Sequence, residues 1–445
     1  MKSVRLFILF MSVCSLWAQE TPRSYSFSLQ EAIAHGLEYN YSVINSGRDI
    51  VAARKKKWET TAIGLPQVSA RVDYQNNIVI QKSVVPAEFF GGNQGEFVEV
   101  AFGTKQNMNA GATLTQILFD GSYLVALKAS KTYLDFFEQS KNKTDIDTKA
   151  SIIEAYGQVL LVEETIKIFQ KNKLTLEANL KETKAAFDNG LAEEESVEQI
   201  QINLATLTNT INNNIRLREI TQKMLKVMIG IEINDSLVLT DSLDQLTEQN
   251  IVLDNAASNF ELEKNIDYRL GLNFSEQKRL LMLQEKSKAL PTLAANANFG
   301  YNAFNDQFQF FTSQQKWLNY SFVGVSLNVP IFSSLARSAR TQQAQIEFDK
   351  AKTSLTQLEQ NLKLQHQMAK SEYQFSIETY QTAKNNLRLS ERIENKQQIK
   401  FREGISTSFE FTEAQRQLYA AQQNLLSSMV EIINKRAALE KLTSN

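Results

Sequence analysis

The chain is poor in cysteine, histidine, proline and glycine, and it lacks a long apolar run beyond its first residues. Its single cysteine, Cys14, lies in a segment that reads as a secretory signal. Lys2 and Arg5 form a basic start, Leu6 to Trp17 an apolar core, and Ala18 before Gln19 a small-residue cleavage point. Ser12 and Val13 do not make the small-residue ending of a lipoprotein signal around that cysteine. With residues 1–18 removed no thiol remains. Disulfides, thiolate metal sites and cysteine nucleophiles are thereby excluded. No later apolar run approaches the roughly 18 residues of a membrane helix. A secreted chain of this kind can cross an outer membrane only as strands of a closed β-barrel.

The remaining absences exclude chemistry. The two histidines, His35 and His366, lie on separate helical stretches without neighbouring ligands. Neither a metal site nor a histidine base is expected. The carboxylates form no acid/base constellation, so no catalytic residues and no cofactor are expected. Gly91-Gly-Asn-Gln-Gly95 lacks the lysine-serine ending of a phosphate loop and reads as an extracellular loop. Lysine plus arginine (48) nearly cancels aspartate plus glutamate (49), which gives no argument for a nucleic-acid partner. Arg54-Lys-Lys-Lys57 is a charge run inside a helix, either a solvated face or, near a membrane, a contact for lipid headgroups.

Few breakers mean long elements. With 5 prolines and 16 glycines in 445 residues, most of the chain reads as helix. It also reads as a duplication. Gly64-Leu-Pro-Gln-Val68 has a counterpart in Ala289-Leu-Pro-Thr-Leu293. Gly111-Ala-Thr-Leu-Thr-Gln-Ile-Leu-Phe119 matches Gly324-Val-Ser-Leu-Asn-Val-Pro-Ile-Phe332. Phe187-Asp-Asn-Gly-Leu191 matches Phe401-Arg-Glu-Gly-Ile405. Each half reads helix, strand, loop, strand, long helix, tight turn, helix, with a longer loop near 81–99 in the first half.

The strand segments alternate. Val68, Ala70, Val72 and Tyr74 interleave with Gln67, Ser69, Arg71 and Asp73. Leu293, Ala295, Ala297, Phe299 and Tyr301 interleave with Asn296, Asn298 and Asn302. Period two with one polar face is a half-exposed strand, which the pattern alone fits equally to a soluble sandwich or a membrane wall; the secretory signal and the strand lengths favour the membrane. Tyr74, Tyr301, Trp317 and Tyr320 are candidate interfacial aromatics. Between Ser122 and Phe187 only Gly157 interrupts the helical pattern, and between Ser334 and Phe401 nothing does. Helices of roughly 100 Å cannot be buried in one globular core and must lie side by side. Val197, Ile200, Leu204, Leu207 and Ile211 have heptad spacing, as do Ala414, Leu418, Ala421, Leu425, Ser428 and Ile432. Gly190 and Gly404 are C-terminal caps at the two tip turns.

These readings divide the chain into a signal (1–18), a first repeat (19–230), a connector (231–260) and a second repeat (261–445). Strands fall at about 66–80, 98–118, 291–304 and 317–332, with hairpin tips near 190 and 404. The pattern resembles the TolC-like outer-membrane efflux proteins, the outer membrane factors, over essentially the whole mature chain. The resemblance rests on the Leu-Pro helix–strand junctions at Pro66 and Pro291, on Val329-Pro-Ile-Phe332, and on the turn from Gly404 to Ala414.

The resemblance implies a mostly helical fold with membrane β structure. Long coiled-coil helices would form an α-barrel, and four strands per subunit would join a twelve-stranded β-barrel in a homotrimer. It implies an outer-membrane duct with a large periplasmic part, serving a tripartite pump or a type I secretion system. The partners would be a periplasmic adaptor, an inner-membrane transporter and the lipid bilayer. It implies an inward carboxylate ring at Glu410 and Glu413, which would favour cations and could bind divalent metal. Two departures are visible. Glutamate stands where the type member has aspartate, and its arginine–acid latch falls here on Ser406 and Ser196. The competing reading is a periplasmic coiled-coil adaptor or scaffold, which would carry one long hairpin and no paired membrane-length strands.

Overall fold

The computed structural model describes residues 23–251 and 260–443. The signal at 1–18, with Cys14, and positions 252–259 of the connector lie outside the described residues. The order is β1 (Ser24–Phe27), α1 (Leu29–Tyr39), α2 (Tyr41–Ile63), β2 (Gln67–Asn76), β3 (Lys82–Pro86), β4 (Phe97–Ala101) and β5 (Gln106–Phe119). Then come α3 (Gly121–Asp188), α4 (Glu194–Ile229), β6 (Ser236–Leu239), α5 (Leu243–Ile251), α6 (Ile266–Ser287), β7 (Thr292–Asn305), β8 (Trp317–Asn328), α7 (Ala336–Arg402) and α8 (Ser408–Thr443). Among the described residues no helix is long and apolar enough to cross a membrane. The chain divides into two compact units, one of residues 1–49, 138–270 and 356–445, the other of 50–137 and 271–355.

The second unit holds an antiparallel four-stranded sheet in the order β2-β5-β7-β8. Register decides what each face carries. Val68 pairs with Leu114, Leu114 with Ala297, and Ala297 with Val323. That row belongs to an apolar face which lies open, with Val68 71% and Val323 83% exposed. The opposite face is mostly polar, with Ile117 of β5, Ala294 and Phe304 of β7, and Leu318 and Phe322 of β8 as its apolar members. Asn109 donates to Asn302, Thr113 to Asn298, and Arg71 pairs with Asp73 at 2.7 Å. A bulge between Ile117 and Phe119 resets the parity of β5, so Phe119 falls in register with Leu293.

Three expectations change here. Tyr320 lies in register with Gly300 and Gly111, on the polar face, not among the interfacial aromatics. A Cβ on Gly300 would come within 2.7 Å of the Tyr320 ring, so glycine there leaves room for the ring to lie across the sheet. Tyr74, Tyr301 and Trp317 do occupy the apolar face. The strand expected at 98–118 begins only at Gln106, because Phe97–Ala101 pairs instead with Lys82–Pro86 as a separate hairpin inside the expected loop. The strand expected to reach 332 stops at Asn328, two residues before Pro330, which has no N–H for a ladder. Beyond β7 the chain folds back over the apolar face, and Phe310 is buried against Met108 and Ala303.

The helix ends beside the sheet are fastened locally. Asp120 caps α3 by accepting from the backbone N–H groups of Ser122 (2.7 Å) and Tyr123 (3.2 Å). The Tyr123 hydroxyl donates to Thr61 O at 3.1 Å, tying α3 to the end of α2. Gln116 turns its amide away from the apolar face to donate to Gly64 O. Pro66 and Pro291 each stand directly before a strand, where a missing N–H costs least.

The other unit is a helical assembly around a buried cluster. Ile152, Tyr156 and Val159 of α3 meet Leu225 and Ile229 of α4, Met429 and Ile433 of α8, and Ala32 of α1. The connector is sewn onto this core. β6 pairs in parallel with β1. The Tyr156 hydroxyl lies 3.1 Å from both Phe27 O and Asp241 Oδ2, and that carboxylate accepts from Leu29 N–H at 2.7 Å. Further along, Val197, Ile200, Leu207 and Ile211 are buried, and Ile200, Leu207 and Ile211 pack against Phe169 and Leu176 of α3. On α8, Ala414, Ala421, Ser428 and Ile432 are buried. Leu225→Ala should cost about 2–5 kcal/mol, read as a lowered thermal midpoint of the detergent-solubilised protein.

Candidate functional site

The candidate site is the pair of turns that end the long helices. In both, the glycine has φ +71°, the left-handed conformation that side chains with a Cβ disfavour. Gly190 N–H donates to Phe187 O and Leu191 N–H to Ala186 O, both at 2.8 Å. Gly404 N–H donates to Phe401 O at 3.1 Å and Ile405 N–H to Lys400 O at 2.8 Å. Both are Schellman caps, which satisfy the last carbonyls of each helix. An added Cβ at either glycine would meet nothing within 4 Å, so backbone conformation, not space, calls for glycine.

The two turns line one cleft of about 950 Å³, together with Glu182, Ser196, Arg402 and Ser406. Arg402 Nε lies 3.0 Å from Glu182 Oε2, and Nη2 lies 3.3 Å from Oε1, a forked ion pair between α7 and α3. The Phe401 and Phe411 rings stack with centroids 5.2 Å apart. Behind them run amide contacts between the hairpins. Asn179 meets Gln398 at 3.3 Å, Asn203 meets Thr412 at 3.1 Å, and Asn172 meets Gln422 at 2.7 Å.

The two predicted ring carboxylates are in different electrostatic situations. Glu410 closes a capping box at the start of α8. Thr407 N–H donates to its Oε2 at 3.1 Å, and its own N–H donates to Thr407 Oγ1 at 3.2 Å. The Ser406 hydroxyl adds a bond at 2.8 Å. These bonds, the one from Ser406 first, hold the Glu410 carboxyl below the ordinary glutamate value. Glu413 is also held low, by Arg416, whose guanidinium lies 2.8 Å away and offsets its charge. Ser406, at the expected latch position, bonds to Glu410 and Gln397, both on its own hairpin, rather than to Ser196.

The Arg402–Glu182 pair escaped sequence reasoning because its partners are 220 residues apart. The polar seam of α3 had a readable signal. Thr165, Asn172, Asn179 and Thr183 are buried with Phe169 and Leu176 between them, a heptad pattern carried by polar residues. Such residues fix register at the expense of stability.

Glu394 is a half-buried carboxyl of this hairpin. Burial pushes it up, partly offset by a hydrogen bond from Gln415. Its charge in turn adds to the burial that raises the Tyr419 hydroxyl to about 12. The folded chain therefore holds the Glu394 proton more tightly than the unfolded chain does. Stability is full below the ordinary value of 4.5 and falls as pH rises through the raised one. Glu394→Gln should remove that loss, giving a thermal midpoint above the parent's at neutral pH and equal to it below 4.5.

Residues 282–445 match the model of the outer membrane efflux protein family. No curated protein matches the chain by sequence. The structure is similar to CusC, described for its transmembrane channel formation, with a TM-score of 0.76 at 14% identity over 97% of this chain and 96% of that one. It is similar to the open state of the MtrE outer membrane channel of Neisseria gonorrhoeae, with a TM-score of 0.72 at 17% identity over 93% and 88%. It is also similar to the CmeC outer membrane channel of Campylobacter jejuni, with a TM-score of 0.71 at 14% identity over 96% and 90%. Identities this low show the fold alone, and the family match covers only residues 282–445. Residues 282–445 thus match the model of that family, and the fold of these channels extends over the rest of the chain.

Proposed function

We propose that the chain is one subunit of an outer-membrane efflux channel, a passive duct that carries cargo delivered by a periplasmic adaptor and an inner-membrane transporter. The observation that carries this reading is the sheet of β2, β5, β7 and β8. Its exposed face is apolar and its other face polar, as in a strand wall between lipid and water. Its edge strands β2 and β8 have no neighbour among the described residues. Four strands cannot close a barrel, and open edges are not tolerated in lipid. Three copies give twelve strands, the homotrimer that the family resemblance implies. An adaptor has no use for such a sheet, which sets the competing reading aside. The matching caps at Gly190 and Gly404 support descent from a duplicated unit.

Gating belongs in this reading to the turns. Three copies of Glu410 and Glu413 would ring the narrow end of the duct. Arg416 offsets Glu413, so the ring's charge rests mainly on Glu410. The forked Arg402–Glu182 pair, not an arginine at position 406, joins the two hairpins of one subunit. Cargo identity lies with the transporter that docks.

Detergent-extracted protein should have the mass of a trimer and conduct ions in planar bilayers. A monomer that stays soluble without detergent would refute the channel. Glu410→Ala should lower the cation selectivity of single channels more than Glu413→Ala does. Unchanged selectivity and unchanged divalent block in the double variant would remove the ring.

A further inference from the structure

The margin where helices join the sheet carries exposed groups that chain packing leaves without a role. After β8 the chain runs through Val329-Pro-Ile-Phe-Ser-Ser-Leu335 to α7. Ile331 is 89% exposed and Leu335 75%, and Phe332 is exposed with them. Ser334 and Leu335 have φ +47° and +66° and are the only described non-glycine residues with positive φ. A leucine there carries a steric cost, and the result is an apolar side chain held in the open. Arg337 fixes the segment, donating to Pro330 O at 2.9 Å, Ile331 O at 3.3 Å and Ser333 Oγ at 3.1 Å. Arg340, one turn further on, is exposed and has no ion pair among the described residues.

The opposite edge of the sheet has a matching margin. Ile63 and Leu65 are exposed just before β2, and Trp58 on α2 is 62% exposed. Arg54 and Lys55 precede it by four and three residues, which puts them on its face of the helix. Both are exposed and unpaired among the described residues, whereas Lys56 is taken by Glu59 at 2.9 Å. Moving away from the sheet, the surface therefore passes from apolar strands to apolar junction residues, then to tryptophan and cations. Hydrocarbon, interface and headgroups follow in the same order across a bilayer leaflet. Trp58 lies about 8 Å of helix rise from Ile63, Arg54 about 14 Å, and Arg340 about 6 Å from the start of α7.

We propose that this margin binds the headgroups of membrane phospholipid, preferring anionic to zwitterionic lipid, and that each site is built by two copies of the chain. One copy supplies the strained 329–335 segment and Arg340 beside its β8. The next supplies Arg54, Lys55 and Trp58 beside its β2. The two-copy site rests on the channel reading, because only barrel closure brings β8 of one copy against β2 of the next.

The test uses the full-length protein in liposomes, in a Trp17→Phe background, with Trp58 and Trp317 each retained alone. Quenchers are phosphatidylglycerol and phosphatidylethanolamine, both brominated near the glycerol end of the acyl chains. Trp317 lies on the apolar face and reports whether the sheet is in the bilayer at all. Trp58 should be quenched more by phosphatidylglycerol, with an association preference of about fivefold for each cation engaged. Arg54→Gln with Lys55→Gln, and separately Arg340→Gln, should each reduce that preference while the trimer mass is unchanged. Equal quenching of Trp58 by both lipids, or by neither, with Trp317 quenched, overturns the proposal and leaves the channel standing. A preference lost with Arg54 and Lys55 but indifferent to Arg340 overturns the two-copy site. If no lipid quenches Trp317, the membrane reading fails and the proposal with it.

Discussion

A strand at the edge of a sheet presents a row of unpaired N–H and C=O groups, and hydrocarbon offers them no partner. The sheet of β2, β5, β7 and β8 has two such edges and an open apolar face. Water disfavours the face and lipid disfavours the edges, so the sheet is stable in a membrane only when edges meet edges. The subunit is in this sense incomplete. Assembly is the condition under which the alternation of apolar and polar residues in these strands makes sense, and in the proposed channel the asparagine-rich face is the wall of an aqueous passage.

The helical unit solves a different problem. Helices of 68 and 67 residues, α3 and α7, bury only part of their surface. Near β1 and β6 the packing is apolar, around Tyr156, Leu225 and Ile433. Toward the turns the contacts become Asn172, Asn179, Gln398 and Gln422, with Arg402–Glu182 at the outside. A polar contact, whose partners water can replace, costs less to open than an apolar one. The gradient places the more easily separated contacts at the turns, where the proposed channel would open.

Much of this was legible locally. The glycine turns, the heptad seam of α4 and the Leu-Pro junctions depend on residues within one or two helical turns of each other. Other features depended on where distant segments meet. Tyr320 reads as an interfacial aromatic until the register of β7 and β8 places it over Gly300. The 81–99 loop reads as irregular until Lys82–Pro86 and Phe97–Ala101 pair. At the turn, Ser406 marks a missing latch, and Arg402, four residues earlier, is the cation that reaches across.

The sequence by itself determined the two long helices and the glycine turns that end them, the presence of four sheet strands, and which residues of β2 and β7 share a face. Periodicity, glycine and proline act within a few residues of the backbone, and a single chain records them. Only the tertiary structure decided which strand lies beside which, which face Tyr320 occupies, and which charges meet across the hairpins. Those outcomes depend on register and on packing between residues far apart in the chain, which no local pattern carries.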